Sequence, residues 1–591
     1  MNIRTVNEVF YSVVEKDLDR VMMSKRDGKW IPLSSREFYR RVAAVAHALE
    51  SWGLIRGDRV AILSENRPEW AIADFATMLM GAATVPIYAT LTPEQTVYLL
   101  RDSGARFIFV SNRTQLQKIL AIKDQCAVEK IVLMDAADEA GVVPMESLLQ
   151  GAPEGRDQAL DDRALAIGPD EVATVMYTSG TTGRPKGAML TQGNLASNLV
   201  HSLDLYDFKK GQVSISFLPL SHVTARHVDY AMFWHGVTIA YCPVIEQLLA
   251  TLAEVKPHFF VAVPRVYEKI QSNVQSKAPT AGMKRRLYQW ALRVGQEHKD
   301  KVLAGKRPAS LRWLLADRLV FSKIKGALGG RVEIYISGGA PLNQDLIDWY
   351  AGLGIRIFEG YGLTETSPVI ALNNPRHYRA GSVGRVLKNL EVRTAPDDEI
   401  LVKGPSVFKG YWNLPAETEA AFDAGWFRTG DVGRIDQDGF LYITDRKKDL
   451  IKTSGGKFLA PQPIEAKLKA NDLVAEAALV ADRRRFPSVI LAPNFSALEE
   501  WARVNHISFG SREELIANAQ VYALYEGLVA DLNRNLAQFE KIKKFVLVTD
   551  EFSIANGALT PTMKLKRRFV EERYRKELDE LYSGMEPVKA S

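Results

Sequence analysis

The chain has 591 residues, 47% of them apolar and 25% charged, an ordinary globular composition that permits burial of a sizeable core. Its 41 glycines and 26 prolines exclude collagen-like and linker-like chains, and a net charge of +6 over this length does not mark a nucleic-acid protein. Two cysteines, Cys126 and Cys242, rule out a disulfide framework or a cysteine-based zinc site and fit a reducing, cytoplasmic setting.

In chain order, the first residues show no apolar run behind a basic patch, so no secretory signal is read. Ser34-Ser-Arg-Glu37 reads as a capping box opening a helix that runs to about Trp52. Residues 59–63 and 107–110 are short apolar strands, with a helix over 68–80. Residues 75–93 carry no charge, which raises the question of a membrane span. Gly81, Pro86 and Pro93 instead divide them into an apolar helix ending near Gly81, a buried strand over 84–89 and a turn at Thr92-Pro93. Strands follow at 130–134, 172–177, 214–218, 259–263 and 333–336, an α/β order that favours parallel strands with crossover helices.

Residues 270–330 are helical and basic, with Lys284, Arg285 and Arg286 at one end and 299–306 at the other. A basic amphipathic helix over 283–306 is a candidate for peripheral contact with a membrane face, although such a run is more often a solvated surface. From 396 to 442 the pattern becomes β-rich, with tight turns at Asp397-Asp398, Gly404-Pro405, Gly410 and Asp438-Gly439. The charged patch Asp445-Arg-Lys-Lys-Asp449 marks a boundary. Beyond it, helices at 463–470 and 511–539 and strands at 476–480, 488–491 and 545–548 make a smaller α+β domain.

The segment carrying the most chemistry is 172–187, where an apolar strand runs into a Gly/Ser/Thr loop ending in Lys186. Small residues let backbone N–H groups and hydroxyls close around a phosphate, and the lysine adds a positive charge. Pro185 before the lysine, with no Ser or Thr after it, departs from the GxxxxGK[ST] loop and disfavours a Walker-type NTPase. Alone, such a loop is a plain turn about as often as a binding site.

Tyr177-Thr-Ser-Gly-Thr-Thr-Gly-Arg-Pro-Lys-Gly187 resembles the AMP-binding signature of the adenylate-forming superfamily, which comprises acyl-CoA synthetases, peptide-synthetase adenylation domains and luciferases. Its companions follow in family order: Ser337-Gly-Gly-Ala-Pro-Leu342, Glu359-Gly-Tyr-Gly-Leu-Thr-Glu-Thr-Ser-Pro368, Trp426-Phe-Arg-Thr-Gly-Asp431, the 445–449 patch and Thr560-Pro-Thr-Met-Lys564. The resemblance implies an α/β fold with a large N-terminal lobe of sheets plus a β-rich subdomain, 1–446, and a smaller mobile α+β lid, 447–591. It also implies ATP, Mg²⁺ and coenzyme A as cofactor and co-substrates. A carboxylate attacks the ATP α-phosphate, pyrophosphate leaves, and AMP is then the leaving group for a thiol. Attack of one anion on another calls for cations and backbone donors at the phosphate.

By the same resemblance, Thr178, Ser179, Gly180, Thr181, Thr182, Gly183 and Lys186 cradle the β- and γ-phosphates. Gly338, Gly339, Ala340 and the Glu359-Gly360-Tyr361-Gly362 stretch enclose the adenine, with Tyr361 as its aromatic face. Thr364 bonds the α-phosphate, and Glu365, with Thr178 beside it, holds Mg²⁺. Asp431 binds the ribose hydroxyls next to Arg446. Lys564 is the lysine of the adenylation step; Lys448 is the hinge, with Lys447 the one-residue alternative; Gly455, Gly456 and Lys457 approach the CoA channel. His222, in Phe217-Leu-Pro-Leu-Ser-His222, lines the acyl site. Taken singly, Tyr361 reads more readily as a core tyrosine and Asp431 as a turn residue; it is the ordered set of motifs that makes them site residues.

Ala262-Val-Pro-Arg-Val-Tyr-Glu-Lys-Ile270, the basic insert after it and Pro461-Gln-Pro-Ile-Glu465 resemble long-chain fatty acyl-CoA synthetases. Fatty acid, ATP and CoA are then the partners, with no nucleic acid; oligomeric state stays open, a homodimer being one candidate. Three alternatives remain: a fatty-acyl-AMP ligase that loads a carrier protein, a ligase for an aryl or polyketide acid, and a non-catalytic nucleotide-binding, membrane-associated scaffold.

Overall fold

The computed structural model describes residues 3–136, 139–178, 184–447, 450–452, 458–481, 484, 486–534, 536–538, 540–553, 556–560 and 564–582. The chain separates into two compact units. The first holds 1–396, 400–429 and 435–442; the second holds 397–399, 430–434 and 443 onward.

Two large sheets build the first unit. One has nine strands, in the order Arg385–Val386, Val369–Leu372, Ile357–Gly362, Ile334–Ser337, Phe259–Ala262, Val213–Ser216, Thr238–Tyr241, Met22–Arg26 and Lys29–Leu33. The other has eight: Gly410–Tyr411, Lys186–Thr191, Val172–Thr178, Ala83–Ile87, Arg59–Leu63, Phe107–Val110, Lys130–Leu133 and Val143–Pro144. Both are parallel inside, as the α/β order predicts; the nine-stranded sheet turns antiparallel at both edges and the eight-stranded one only at the Gly410–Tyr411 edge. Their strands are covered on both faces and read as near-continuous apolar runs.

Period-two alternation sends side chains to separate cores. Phe107 and Phe109 join the large central core, while Ile108 and Val110 join the core on the other face of their sheet. The central core is knit by edge and stacked aromatic pairs among Phe10, Phe38, Phe75 and Phe233, with centroids 5.4–5.8 Å apart. These four come from helices Val6–Glu15, Ser35–Ser51, Pro68–Leu79 and Val223–His235. The Pro68–Leu79 helix is buried all round, which is why 75–79 imitates a membrane segment. Among the described residues, no helix is long and apolar enough to cross a membrane.

Two local expectations need correction. Ser34 caps its helix by accepting from the Glu37 N–H, but the Glu37 carboxylate is taken by Arg40 and Arg41, so the reciprocal arm of the box is absent. Thr92-Pro93 is a helix start rather than a plain turn: Thr92 and Gln95 form a complete capping box, with Pro93 in the first turn of Pro93–Ser103.

The basic insert forms the helix Gly282–Leu303, then Leu311–Ala316, a π turn over Asp317–Phe321, and Ser322–Ala327. Gly295 meets helix Gln344–Gly352 backbone to backbone: a Cβ on Gly295 would lie 2.4 Å from the Gly352 carbonyl oxygen. Lys299 is tied to Asp348 on that same helix, so part of the insert's charge is paired.

The second unit centres on a three-stranded sheet, Val474–Val480, Ser488–Pro493 and Lys544–Leu547, with a two-stranded ribbon of Ile451–Lys452 and Phe458–Leu459. Helices Pro461–Lys469, Phe495–Val504 and Ala519–Asn533 bring Ile464, Leu498 and Tyr525 into its core. The helical stretch expected over 511–539 is split, with Asn518 capping Ala519–Asn533 after the short helix Arg512–Ala517.

Candidate active site

Parallel α/β sheets gather functional groups where their strands end. In the first unit this edge collects several of the residues singled out above. Strands Ile334–Ser337 and Ile357–Gly362 run side by side with Ser337 opposite Glu359. The turn that follows brings Gly338 against the next strand, where a Cβ would lie 3.6 Å from the Gly360 carbonyl oxygen. Gly339 has φ +82°, a conformation that favours glycine. Ala340 and Gly339 are exposed, while Tyr361, Gly362 and Thr364 are half-buried.

Glu359 is 6% exposed, and its Oε2 finds no partner among the described residues. Burial pushes its carboxyl up to about 8, against a partly offsetting bond from the Gly381 backbone. An acceptor left open beside Gly360 and Tyr361 suits a ligand N–H, such as the exocyclic amine of adenine.

Thr364 and Glu365 sit in the turn Thr364–Thr366, directly after that strand. Asn198 clamps the turn: its Nδ2 donates to the carbonyls of Thr366 (3.2 Å) and Val369 (2.7 Å), and its Oδ1 accepts from the Val369 N–H (3.1 Å). The Glu365 carbonyl accepts from the Phe408 N–H at 2.8 Å. On the other sheet, Val172–Thr178 and Lys186–Thr191 form an antiparallel pair with Thr178 opposite Lys186. Ser179, Gly180, Thr181, Thr182 and Gly183 lie outside the described residues.

Tyr411, absent from the sequence reading, joins the two clusters. Its strand pairs with Lys186–Thr191, placing Tyr411 opposite Ala188. The Lys186 ammonium lies 5.2 Å from its ring centroid, and its hydroxyl donates to Glu365 Oε1 at 2.9 Å. Burial and the Glu365 carboxylate hold that hydroxyl protonated, above the ordinary tyrosine range. Among the described residues no group of three or more His, Cys, Asp or Glu could hold a metal. One carboxylate with nearby hydroxyls is nevertheless the donor set Mg²⁺ takes when phosphate oxygens and water supply the rest, so the residues present fit that ion.

His222 caps helix Val223–His235, its Nδ1 accepting from the Thr224 N–H at 3.2 Å. The loop before it is held by Asn66, whose Nδ2 donates to the Leu218 carbonyl (2.7 Å) and whose Oδ1 accepts from the Leu220 N–H (3.1 Å). One turn further on, Arg226 is fully buried and ion-paired with Asp74, and its Nη1 donates to Thr174 Oγ1 at 2.7 Å. Tyr230 donates to the same carboxylate at 2.6 Å, and Thr84 at 2.8 Å. This knot ties the helix behind His222 to the strand that ends at Thr178. Nothing local in the sequence marks Arg226, because its partner Asp74 lies 152 residues away.

The second unit holds the rest. Asp431 is 4% exposed, and Arg446 Nε lies 3.2 Å from its Oδ1. Lys447 bonds Asp397 (2.6 Å) and Glu399 (2.9 Å). Lys564 bonds back to Thr560, its N–H donating to Thr560 Oγ1 (3.0 Å) and its carbonyl accepting from the Thr560 N–H (2.8 Å). Nearby, Arg567 is ion-paired with buried Glu465. Lys448, Gly455, Gly456 and Lys457 lie outside the described residues.

Residues 10–412 match the AMP-binding enzyme family, and 448–586 match the AMP-binding enzyme C-terminal domain. The long-chain-fatty-acid–CoA ligase FadD15 of Mycobacterium bovis is 37% identical over 562 residues, covering 94% of this chain and 93% of its own. The long-chain-fatty-acid–CoA ligase ACSBG1 of Homo sapiens is 34% identical, over 98% of this chain and 85% of its own. Among solved structures, the ATP-bound RpMatB-BxBclM chimera B1 superposes with TM-score 0.72 at 26% identity, covering 97% of this chain and 99% of its own. The anthranilate CoA ligase AuaEII bound to anthranoyl-AMP shares the fold, with TM-score 0.74 at 18% identity over 97% and 98% of the two chains. Matched along both its parts and aligned nearly end to end with such relatives, this chain belongs to the AMP-binding enzyme family.

Proposed function

We propose that the protein is an ATP-dependent ligase that activates a long-chain fatty acid as its acyl-adenylate and passes the acyl group to coenzyme A. The observation that carries this reading is the Lys186–Tyr411–Glu365 arrangement, which puts a cation and an anion on one tyrosine at the strand ends of a family member. Relatives named long-chain-fatty-acid–CoA ligases support the choice of substrate.

The chemistry follows from charge. The fatty-acid carboxylate oxygen forms a bond to the α-phosphorus as the bond to pyrophosphate breaks. Lys186 offsets charge building on the departing phosphates, and Thr364 donates to the α-phosphate. Bound through Glu365, Mg²⁺ would neutralise further phosphate charge. The open acceptor on Glu359 and the ring of Tyr361 orient the adenine, and Asp431, steadied by Arg446, takes the ribose hydroxyls. Lys564 supplies the ammonium that lets two anions meet, and His222 borders the acyl group. The thiol of CoA then attacks the acyl carbon and AMP leaves. The boundary near 446, the hinge at Lys448 and the Gly455, Gly456 and Lys457 contact with CoA belong to the same reading, as does a cytoplasmic location in keeping with unbonded Cys126 and Cys242.

A panel of short- to long-chain acids with ATP, Mg²⁺ and either CoA or an acyl-carrier protein tests the proposal. Thioester formation on CoA with long acids is the expected outcome, and transfer to the carrier alone would replace it with the fatty-acyl-AMP ligase reading. Pyrophosphate release should fall at least tenfold in Lys564→Ala; undiminished release would reject that lysine's role.

A further inference from the structure

Exposed large apolar side chains are scattered singly on most soluble surfaces. Here three fall within five residues of one another: Leu311 (85% exposed), Leu314 (42%) and Leu315 (50%). They lie on the continuous run Leu311–Ala316, Asp317–Phe321 and Ser322–Ala327, which buries Trp313, Ala316, Val320, Phe321 and Ile324 against the core. At about 100° per residue, Leu311, Leu314, Leu315 and Arg318 share the opposite face. None of the site residues assigned above lies on this run, so the stripe has no part in the proposed chemistry.

The charge around the stripe has one sign. From 306 to 325 the chain carries Lys306, Arg307, Arg312, Arg318, Lys323 and Lys325 against a single acid, Asp317. Asp317 is bonded to Lys325 at 2.6 Å, and Arg312 lies 3.4 Å from Glu297 on the neighbouring helix. Lys306, Arg307, Arg318 and Lys323 are exposed and, among the described residues, make no ion pair. Outward leucines ringed by free cations complement a surface that is anionic at its face and apolar just beneath it. A second copy docking through the same face about a two-fold axis would set Arg318 and Lys323 against like charges.

We propose that the 306–323 face is a peripheral membrane-binding surface that seats on anionic phospholipid, with the three leucines entering the headgroup boundary and the flanking cations contacting lipid phosphates. The sequence placed such a contact on 283–306, which shares only Lys306 with this face; the leucines lie beyond the end of the helix Gly282–Leu303.

Flotation of the full chain with phosphatidylcholine vesicles, with and without phosphatidylglycerol, tests it. The wild type is expected to float with the anionic vesicles, to stay behind with the neutral ones and to be released by salt. The triple variant Leu311→Ser, Leu314→Ser, Leu315→Ser should lose at least about tenfold in partitioning, and Arg318→Glu with Lys323→Glu a similar factor. ATP–pyrophosphate exchange with a dispersed acid should be unchanged in both, which reports an intact fold. Equal flotation of wild type and variants overturns the proposal, as does a wild type that does not float. A leucine variant that changes the mass in light scattering but not the flotation would assign the face to contacts between copies and overturn it too.

Discussion

Replacing Tyr411 by Phe removes one oxygen and leaves the ring. The lost group is the hydroxyl that donates to Glu365 Oε1 at 2.9 Å. The retained ring still packs on Phe408, 4.9 Å away between centroids, and still faces the Lys186 ammonium at 5.2 Å. A hydrogen bond to a charged acceptor is worth about 1.5–3 kcal/mol. With the Glu365 carboxylate no longer held by that hydroxyl, ATP–pyrophosphate exchange should fall by roughly 10- to 150-fold, with a higher Mg²⁺ requirement. The KM for the fatty acid should be unaffected, since no atom of the acyl segment near His222 has changed. Tyr411→Leu removes the ring face as well and should lose a further factor of about 2 to 30 through Lys186. Exchange by Tyr411→Phe within twofold of wild type, with normal thermal unfolding, would refute the role given to this tyrosine.

The buried carboxyl of Glu359 makes stability pH-dependent. Its folded value near 8 lies above the usual 4.5, so the folded state holds a proton that the unfolded state releases between those limits. Stability on this account is full below about 4.5 and is lost as pH rises toward 8, a difference on the order of 5 kcal/mol. Glu359→Gln should flatten that slope in urea titrations across the range; an unchanged slope would show the group to be ionised already in the folded protein. Asp74→Ala strands the fully buried Arg226 guanidinium and should cost about 3–5 kcal/mol, read as a lower urea midpoint. A loss no larger than that of an exposed control substitution would count against this knot. Gly362→Ala would set a Cβ 1.8 Å from the Pro368 carbonyl oxygen, so the strand must part from its neighbour. A loss of roughly 1–3 kcal/mol together with exchange activity is expected, and a fully active variant would argue against that close approach.

Much of this fold could be read from the chain because its strands are short, apolar and separated by helices, and because the loops carry punctuation such as Gly81 and Asp438-Gly439. The motif residues Ser337 to Ala340 and Glu359 to Glu365 were legible for a related reason: each is a contiguous string at the end of one strand. Tyr411 and the Arg226–Asp74 pair were not. Tyr411 matters only because its two-residue strand zips onto Lys186–Thr191, more than two hundred positions earlier, and nothing local distinguishes it from a surface aromatic. Glu37 was misjudged because an ion pair with Arg40 and Arg41 outcompeted the backbone amide it was expected to cap. Thr92-Pro93 showed the opposite error: the same residues spell both a bend and a helix entry, and Gln95 decides between them.

The meeting of Gly295 with Gly352 bears on how the leucine face is aimed. With no side chain between them at this point, the two helices touch main chain to main chain there, and the Lys299–Asp348 pair one turn on holds the same crossing. The long helix ends at Leu303, eight residues and about 12 Å later at 1.5 Å per residue, and the connection 304–310 leads from it to the segment bearing Leu311, Leu314 and Leu315. A methyl group added at this pivot would swing the distal end like a signpost knocked at its base, whereas insertions in the outer turns near Met283 would leave its direction untouched.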